Sequence, residues 1–244
     1  MEDKIFGRNP VLEAIKKGRE IDKIMIKKGG IEGSLNQIIK IAKENRIIVT
    51  EVEKQKLDAI CDGENHQGVV AIVATANYYS VDEIINMADK KGKIPFLIIC
   101  DKITDPHNLG SIIRTANCAG VDGIIIPKRN SVGLNMIVAK TSAGAVEYTP
   151  VAKVTNIART IDELKEKGFW VAGADMNGSS MYKTDLTGKL ALVIGSEGEG
   201  ISHLVMEKCD FLVNIPMNGE INSLNASVAA GILMYEALRQ REVK

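Results

Sequence analysis

"FLIICDKITDPHNLGSIIRTANCAG", residues 96–120, decides the fold. It opens on five apolar residues with no polar alternation, the pattern of a strand covered on both faces. A polar loop follows. Beyond it Leu109, Ile112, Ile113 and Ala116 recur at helical spacing, and Asn108 reads as the N-cap of that helix. Strands of the same kind return downstream as "GIIIP" (123–127), "FWVAGA" (169–174), "LALVIG" (190–195) and "FLVNIP" (211–216), each leading into a helical or Gly-rich segment. The series predicts an α/β domain built on a parallel sheet over 94–244.

Upstream the elements are shorter. Helical spacing over 10–17, 34–44 and 54–61 alternates with the strand-like "IDKIMIKK" (21–28), "RIIVTEV" (46–52) and "GVVAIVA" (68–74). This predicts a small α/β domain over 1–75. Between the two lies "TANYYSVDEIINMADKKGKIP" (75–95), whose polar and charged residues around one short amphipathic helix read as a linker over 76–93.

Composition excludes several classes of function. The chain has 244 residues with 31 acidic and 31 basic side chains, so any nucleic-acid contact has to come from a local basic patch and not from bulk attraction. Cys61, Cys100, Cys118 and Cys209 are scattered with no C-x-x-C pair, which argues against a zinc knuckle or disulfide framework and for buried thiols. No pair of His residues has metal-ligand spacing, so no metal is expected. The sequence lacks a basic-then-apolar leader and any apolar run near the roughly 20 residues that cross a bilayer, so a cytoplasmic protein without membrane contact is expected.

Ligands of open parallel sheets bind beyond the carboxyl ends of the strands, which directs attention to three loops. In the first, Arg114 shares its helix face with Gly110, Ser111, Thr115 and Cys118, all small and uncharged. A solvated helix such as "IDELKEKG" (161–168) is laced with Lys and Glu instead, so Arg114 is expected to face a partner subunit or a polyanion. In the second, "GSEGEG" (195–200) reverses the dinucleotide order G-x-G-x-x-G and carries Glu197 and Glu199, a poor match to a pyrophosphate and a better one to a cationic cofactor. In the third, Asn222, Ser223, Asn225 and Ser227 crowd a helix start that needs one cap, ahead of Leu224, Val228, Ile232, Tyr235 and Leu238 at helical spacing.

"DPHNLGSIIRTA" (105–116), "LVIGSEGEGIS" (192–202) and "IPMNGEINSLNASVAAGILMYE" (215–236) resemble, in this order, the three motifs of the SpoU/TrmH branch of the SPOUT RNA 2′-O-ribose methyltransferases. The first domain, with "IFGRNPVLEAI" (5–15) and "HQGVVA" (66–71), is similar to the substrate-binding domain of the subgroup that acts on guanosine in bacterial 23S rRNA. The resemblance implies a C-terminal trefoil knot, S-adenosylmethionine as cofactor, a homodimer, and 23S rRNA as partner. It implies that Gly195, Ile215 and Leu224 hold the cofactor and that Asn108, Arg114, Glu197, Ser223 and Asn225 form the active site. Two roles for Arg114 stay open: the base that takes the ribose proton, which a guanidinium does only if its surroundings depress its basicity strongly, or a fixed cation with Glu197 orienting it.

Arg8, Lys16, Lys17 and His107 are the candidate RNA contacts, the first three as phosphate anchors if they cluster. A tRNA substrate, or a non-catalytic RNA-binding or assembly role on the same scaffold, are the rival readings.

Overall fold

The computed structural model of the chain describes residues 4–29, 33–220 and 223–242. The chain divides into two compact units, Met1–Asn77 with Leu134–Met136, and Tyr78–Gly133 with Ile137–Lys244.

In the first unit, strands β1 (Lys4–Phe6), β2 (Ile21–Lys27), β3 (Ile48–Val52) and β4 (Val69–Val73) form one sheet in the order β1-β4-β2-β3. Strand β4 runs antiparallel to β1 and β2, while β2 and β3 are parallel. Helices α1 (Arg8–Lys16) and α2 (Ser34–Glu44) cover one face, and α3 (Lys54–Cys61) covers the other. The run "IMI" in β2 shows why the strand is apolar throughout. Ile24 and Ile26 point into the cluster with Val11, Ile15 and Ile38, and Met25 points through the sheet to Leu57 and Cys61.

The second unit starts earlier than its sequence suggests. Tyr79 bridges Ala152, and a capping box of Ser80 and Glu83 opens helix α4 (Val81–Lys90). Part of the segment read as a linker is therefore core, with Ile84 and Ala88 fully buried. Exposed Asp82, Glu83 and Lys90 on its outer side gave the segment its polar look.

The sheet of this unit has six strands, β5 (Phe96–Cys100), β6 (Gly123–Pro127), β7 (Val151–Val154), β8 (Trp170–Ser180), β9 (Leu190–Ile194) and β10 (Phe211–Asn214). Their order is β10-β8-β9-β5-β6-β7, and every neighbouring pair is parallel. With α4, helices α7 (Ile157–Glu166) and α8 (His203–Lys208) pack on one face against Leu97, Ile99, Ile125 and Val193. The alternate residues Ile98, Ile124 and Leu192 are equally buried on the opposite face. There α5 (Pro106–Cys118) and α9 (Ala226–Glu242) pack against each other, and the short α6 (Met136–Thr141) follows the loop after β6.

Candidate active site

The carboxyl half of β8, the loops after β9 and β10 and the segment leading into α9 form a cavity of about 860 Å³ at the carboxyl end of the sheet. Gly195, Ile215 and Leu224, the three positions expected to hold a cofactor, all line it, as do Glu197 and Ser223. The lining also carries Asp175 and Glu199 beside apolar Val213 and Leu233. Asp175 and Glu197, with Glu199 paired to Lys102, next to an apolar wall suit a cationic ligand with an apolar part, and S-adenosylmethionine has that chemistry. One wall comes from β8: its pairing to β10 jumps from Gly173↔Leu212 to Ser179↔Val213, so 174–178 loops out toward the cavity.

The loop 195–200 is folded back on itself. Ser196 N–H donates to Gly200 O (3.1 Å) and Gly200 N–H to Ser196 O (2.9 Å), which takes up two of the loop's amides. A Cβ on residue 195 would lie 2.1 Å from the Gly200 carbonyl carbon, so only glycine allows this crossing.

Three distant residues meet at Glu197. Its Oε1 accepts from Asn108 Nδ2 (3.1 Å), from Asn225 Nδ2, and at 3.4 Å from the Ala226 amide at the start of α9. Asn225 Nδ2 also donates to Asn108 Oδ1 at 2.9 Å, which closes a ring between α5, the β9 loop and α9. Asn108 is 7% exposed and sits inside its helix, not at the cap. The cap is Asp105, whose carboxylate accepts the His107 amide at 2.8 Å, with Pro106 opening the helix. Relieved of capping, the Asn108 side chain is free for Glu197. Asn225 does both tasks, because its Oδ1 accepts the Ser227 amide at 3.0 Å and so caps α9.

The other expected residues are not drawn into this ring. Arg114 is exposed, and among the described residues its side chain has neither an ion pair nor a hydrogen bond, so Glu197 does not orient it within one chain. His107 is exposed, with Nδ1 3.4 Å from Thr141 Oγ1. Ser223 is exposed at the cavity and Asn222 lies outside the described residues. Cys118 is exposed on the Arg114 helix, against the expectation of a buried thiol, whereas burial pushes Cys100 up to about 12. Among the described residues no group of His, Cys, Asp and Glu could hold a metal ion, and no helix is long and apolar enough to cross a membrane.

The SpoU rRNA Methylase family model matches residues 95–235, which contain the whole ring and cavity. The chain belongs to this family. A second model, for the substrate-binding domain of RNA 2′-O ribose methyltransferases, matches residues 4–79. Membership makes the chain an S-adenosylmethionine-dependent RNA methyltransferase. A relative in Bacillus subtilis (strain 168), assigned to the TrmH family of tRNA/rRNA methyltransferases, is 49% identical over 240 residues, 98% of this chain and 96% of its own. An AdoMet-bound rRNA methyltransferase from Sinorhizobium meliloti superposes with a TM-score of 0.60 at 25% identity, covering 97% of this chain and 86% of that one. The A. aeolicus TrmH/SpoU tRNA modifying enzyme gives a TM-score of 0.57 at 26% identity, covering 66% of this chain and 85% of its own.

The sequence reading missed what ties the first two SpoU motif loops together. Asp101, 4% exposed at the end of β5, accepts from both the amide (2.8 Å) and hydroxyl (2.6 Å) of Ser202. Beside it Lys102 takes a left-handed conformation (φ 59°) and pairs with Glu199 at 2.8 Å, which holds the Glu199 carboxyl below its ordinary value. The legible sign was an acid directly after an all-apolar strand. Asp101→Ala would leave two donors of Ser202 unpaired and is expected to cost about 1–3 kcal/mol, read as a melting temperature several degrees lower. An unchanged melt would show that water replaces the carboxylate at no cost.

In the substrate-binding unit the basic candidates separate. Arg8 is held in place, its Nε donating to Gln67 O (3.1 Å) and its Nη1 to Ser34 Oγ (3.4 Å). The Gln67 turn is itself fixed by His66, which bonds Asp58 through Nε2 (2.8 Å) and accepts the Gly68 amide on Nδ1 (2.9 Å). Lys16 lies at the other end of α1, about 12 Å away by helix rise, paired to Glu13 at 3.1 Å, and Lys17 follows it. Arg8 and the two lysines therefore do not form one phosphate site.

Proposed function

We propose that this chain methylates the 2′-hydroxyl of a guanosine ribose in 23S rRNA, acting as a homodimer. The observation that carries the transfer is the meeting of Asn108, Glu197 and Asn225 at the edge of a cavity suited to a cationic cofactor. A preference for rRNA over tRNA is supported by coverage. The S. meliloti rRNA enzyme matches nearly the whole chain, while the A. aeolicus tRNA enzyme matches about two thirds of it. The guanosine rests on the resemblance of the first unit.

S-adenosylmethionine, when bound, supplies an electrophilic methyl group on sulfur. The backbone around Gly195, Ile215 and Leu224 would hold that cofactor. Glu197 Oε2, left open while Oε1 takes the three donors, would accept the hydrogen of the ribose hydroxyl and fix the attacking oxygen in line. Ser223 at the cavity wall would add a second hydrogen bond, and Arg114 would stabilise charge on the oxygen or the neighbouring phosphate. The trefoil knot belongs to the same proposal. It is supported by the start of α9, which lies between the loops after β5 and β9, the place a threaded end would take.

The dimer is supported by a face that the fold leaves uncovered. On α9 the core side is Ala226, Ala230, Leu233, Met234 and Ala237, so the apolar positions Val228 and Tyr235 remain 48% and 49% exposed. Gly231 faces Thr115 on α5, which places this stripe beside Ser111, Arg114 and Cys118. A second copy packed here would bury the stripe and give Arg114 its surroundings. Tyr235→Glu puts two unpaired charges into a symmetric interface and is expected to raise the dimer dissociation constant by about 100-fold or more, read by sedimentation equilibrium. An unchanged constant would place any dimer contact elsewhere.

The function is tested by methyl-label transfer to separated rRNA and tRNA pools, with the labelled nucleotide mapped. Label on a guanosine ribose of 23S rRNA is expected. Label confined to tRNA would overturn the substrate, and cofactor binding without transfer to either pool would overturn the activity.

A further inference from the structure

We infer that the loop after β6 is an anchor for the RNA backbone beside the target ribose, through Lys128 and Arg129. This deepens the reading above and rests on RNA being the substrate.

The loop lies at the carboxyl end of the sheet and is hydrogen-bonded to its neighbours at both ends. It leaves the carboxyl end of β6, which pairs in parallel with β5, so it starts next to the Asp101 loop. Lys128 N–H donates to Val154 O on β7 at 2.7 Å. On the far side of the turn, the Val132 amide (3.0 Å) and the Ser131 hydroxyl (3.1 Å) both donate to Ile103 O. Between these pins Asn130 adopts a left-handed conformation (φ 54°), and Arg129 and Asn130 are exposed. Arg129 is two residues from Ser131, so its backbone is within about 7 Å of a residue that touches the first motif loop. Its guanidinium reaches further.

Lys102, Arg159, Lys165, Lys167, Lys208 and Arg239 each hold a carboxylate within 3.0 Å. Lys128 and Arg129 have no such partner among the described residues. Arg114 and, ahead of β5 at the opposite end of the sheet, the adjacent Lys90 and Lys91 also have no carboxylate partner among the described residues, so what sets this loop apart is its place at the carboxyl end of the sheet. Two adjacent cations on a pinned tip at the carboxyl end of the sheet, without a carboxylate partner among the described residues, are placed to hold an external anion. The polyanion that has to lie across this end of the sheet is the RNA chain carrying the target ribose. Phosphate contacts of this kind fix position without reading sequence. They would set the ribose against Glu197 from the side opposite the cofactor loops.

The test uses the full chain, an unmodified 23S rRNA transcribed in vitro, and three variants. The double variant Lys128→Ala with Arg129→Ala is expected to raise the RNA concentration for half-maximal single-turnover transfer by about 10-fold or more. It should reduce the slope of log affinity against log salt by about 1.4, near 0.7 for each lost contact to a single strand. The rate at saturating RNA should stay within about twofold, and S-adenosylmethionine affinity by calorimetry should not move. Arg129→Lys should recover part of the loss, and Lys91→Ala, ahead of β5 at the opposite end of the sheet, should behave as the parent chain. Unchanged half-saturation and salt slope in the double variant would overturn the anchor. A loss confined to the saturating rate would overturn it too, as would weakened binding of an acidic protein with RNA binding intact. If the parent chain transfers no methyl to this transcript, the proposed function fails, yet the salt slope of filter binding to the same RNA still decides the anchor.

Discussion

Asn225→Asp is expected to lower single-turnover methyl transfer by on the order of 10²–10³ while leaving the last helix capped. The Asn225 side chain works in two directions: Oδ1 accepts the Ser227 amide, and Nδ2 donates to Glu197 and Asn108. Aspartate keeps the acceptor and remains a good cap. It replaces the donor with a carboxylate oxygen facing Glu197, where like charges at contact repel. Glu197 would turn away, and the oxygen proposed to hold the ribose hydroxyl would lose its position. Loss of one positioned catalytic donor commonly costs this much. Asn225→Ala serves as the comparison, because it removes the cap as well and should cost about 1 kcal/mol of stability. Thermal melts and transfer rates on both variants separate the two tasks. Near-normal transfer by the Asp variant would mean that the ring is scaffolding only.

Arg114→Lys should reduce turnover on the order of 10², with S-adenosylmethionine affinity unchanged. Lysine keeps the charge and loses the planar fork that grips a phosphate or carboxylate with two hydrogen bonds. Arg114 does not line the cavity, so the cofactor should not sense the change. Within one chain it touches neither Glu197 nor any other carboxylate among the described residues, so its geometry has to come from RNA or from a second copy. If general attraction were enough, Lys would retain most of the activity. The comparison with Arg114→Ala needs single turnover at saturating RNA, so that weaker binding is not mistaken for slower chemistry. Near-normal rates for both variants would remove Arg114 from the catalytic set and bring forward His107, whose ring lies beside Thr141.

The elements were legible where composition and period agreed. The continuous apolar runs of β5, β6 and β9 could only be doubly covered strands, and they are. The helix over 34–44 was bounded to the residue. Periodicity did not show which neighbour covers a face. The apolar spacing of Val228, Ile232 and Tyr235 announced the last helix, yet Ala226, Ala230, Leu233, Met234 and Ala237 lie inward, because α9 carries apolar residues on more than one face and periodicity alone does not choose between them. At the first motif Asp105 and Asn108 are both good caps three residues apart, and Pro106, suited to the first helical position, was the sign that favoured Asp105. Gly195, Ile215 and Leu224 line one cavity because each directly follows a strand or precedes a helix at the same end of the sheet, a placement that the order of elements made legible. The Asp101 to Ser202 tie joins residues 101 positions apart, and nothing local in a single sequence records such a pairing.

The ring at Glu197 also sets a schedule for biosynthesis. Asn108 and Asn225 are separated by 117 residues, about 6 to 23 seconds of synthesis at the usual pace of a bacterial or eukaryotic ribosome. Glu197 itself is made only 89 residues after Asn108, and the side chain that completes the ring comes 28 residues later still. On the proposed mechanism the nascent chain is expected to transfer no methyl group until Asn225 has left the ribosome. A product cut short between Met136 and Asn225 would keep the unit matched to RNA substrate binding and never assemble the ring, so its expected behaviour in a cell is to occupy substrate and compete with the intact enzyme.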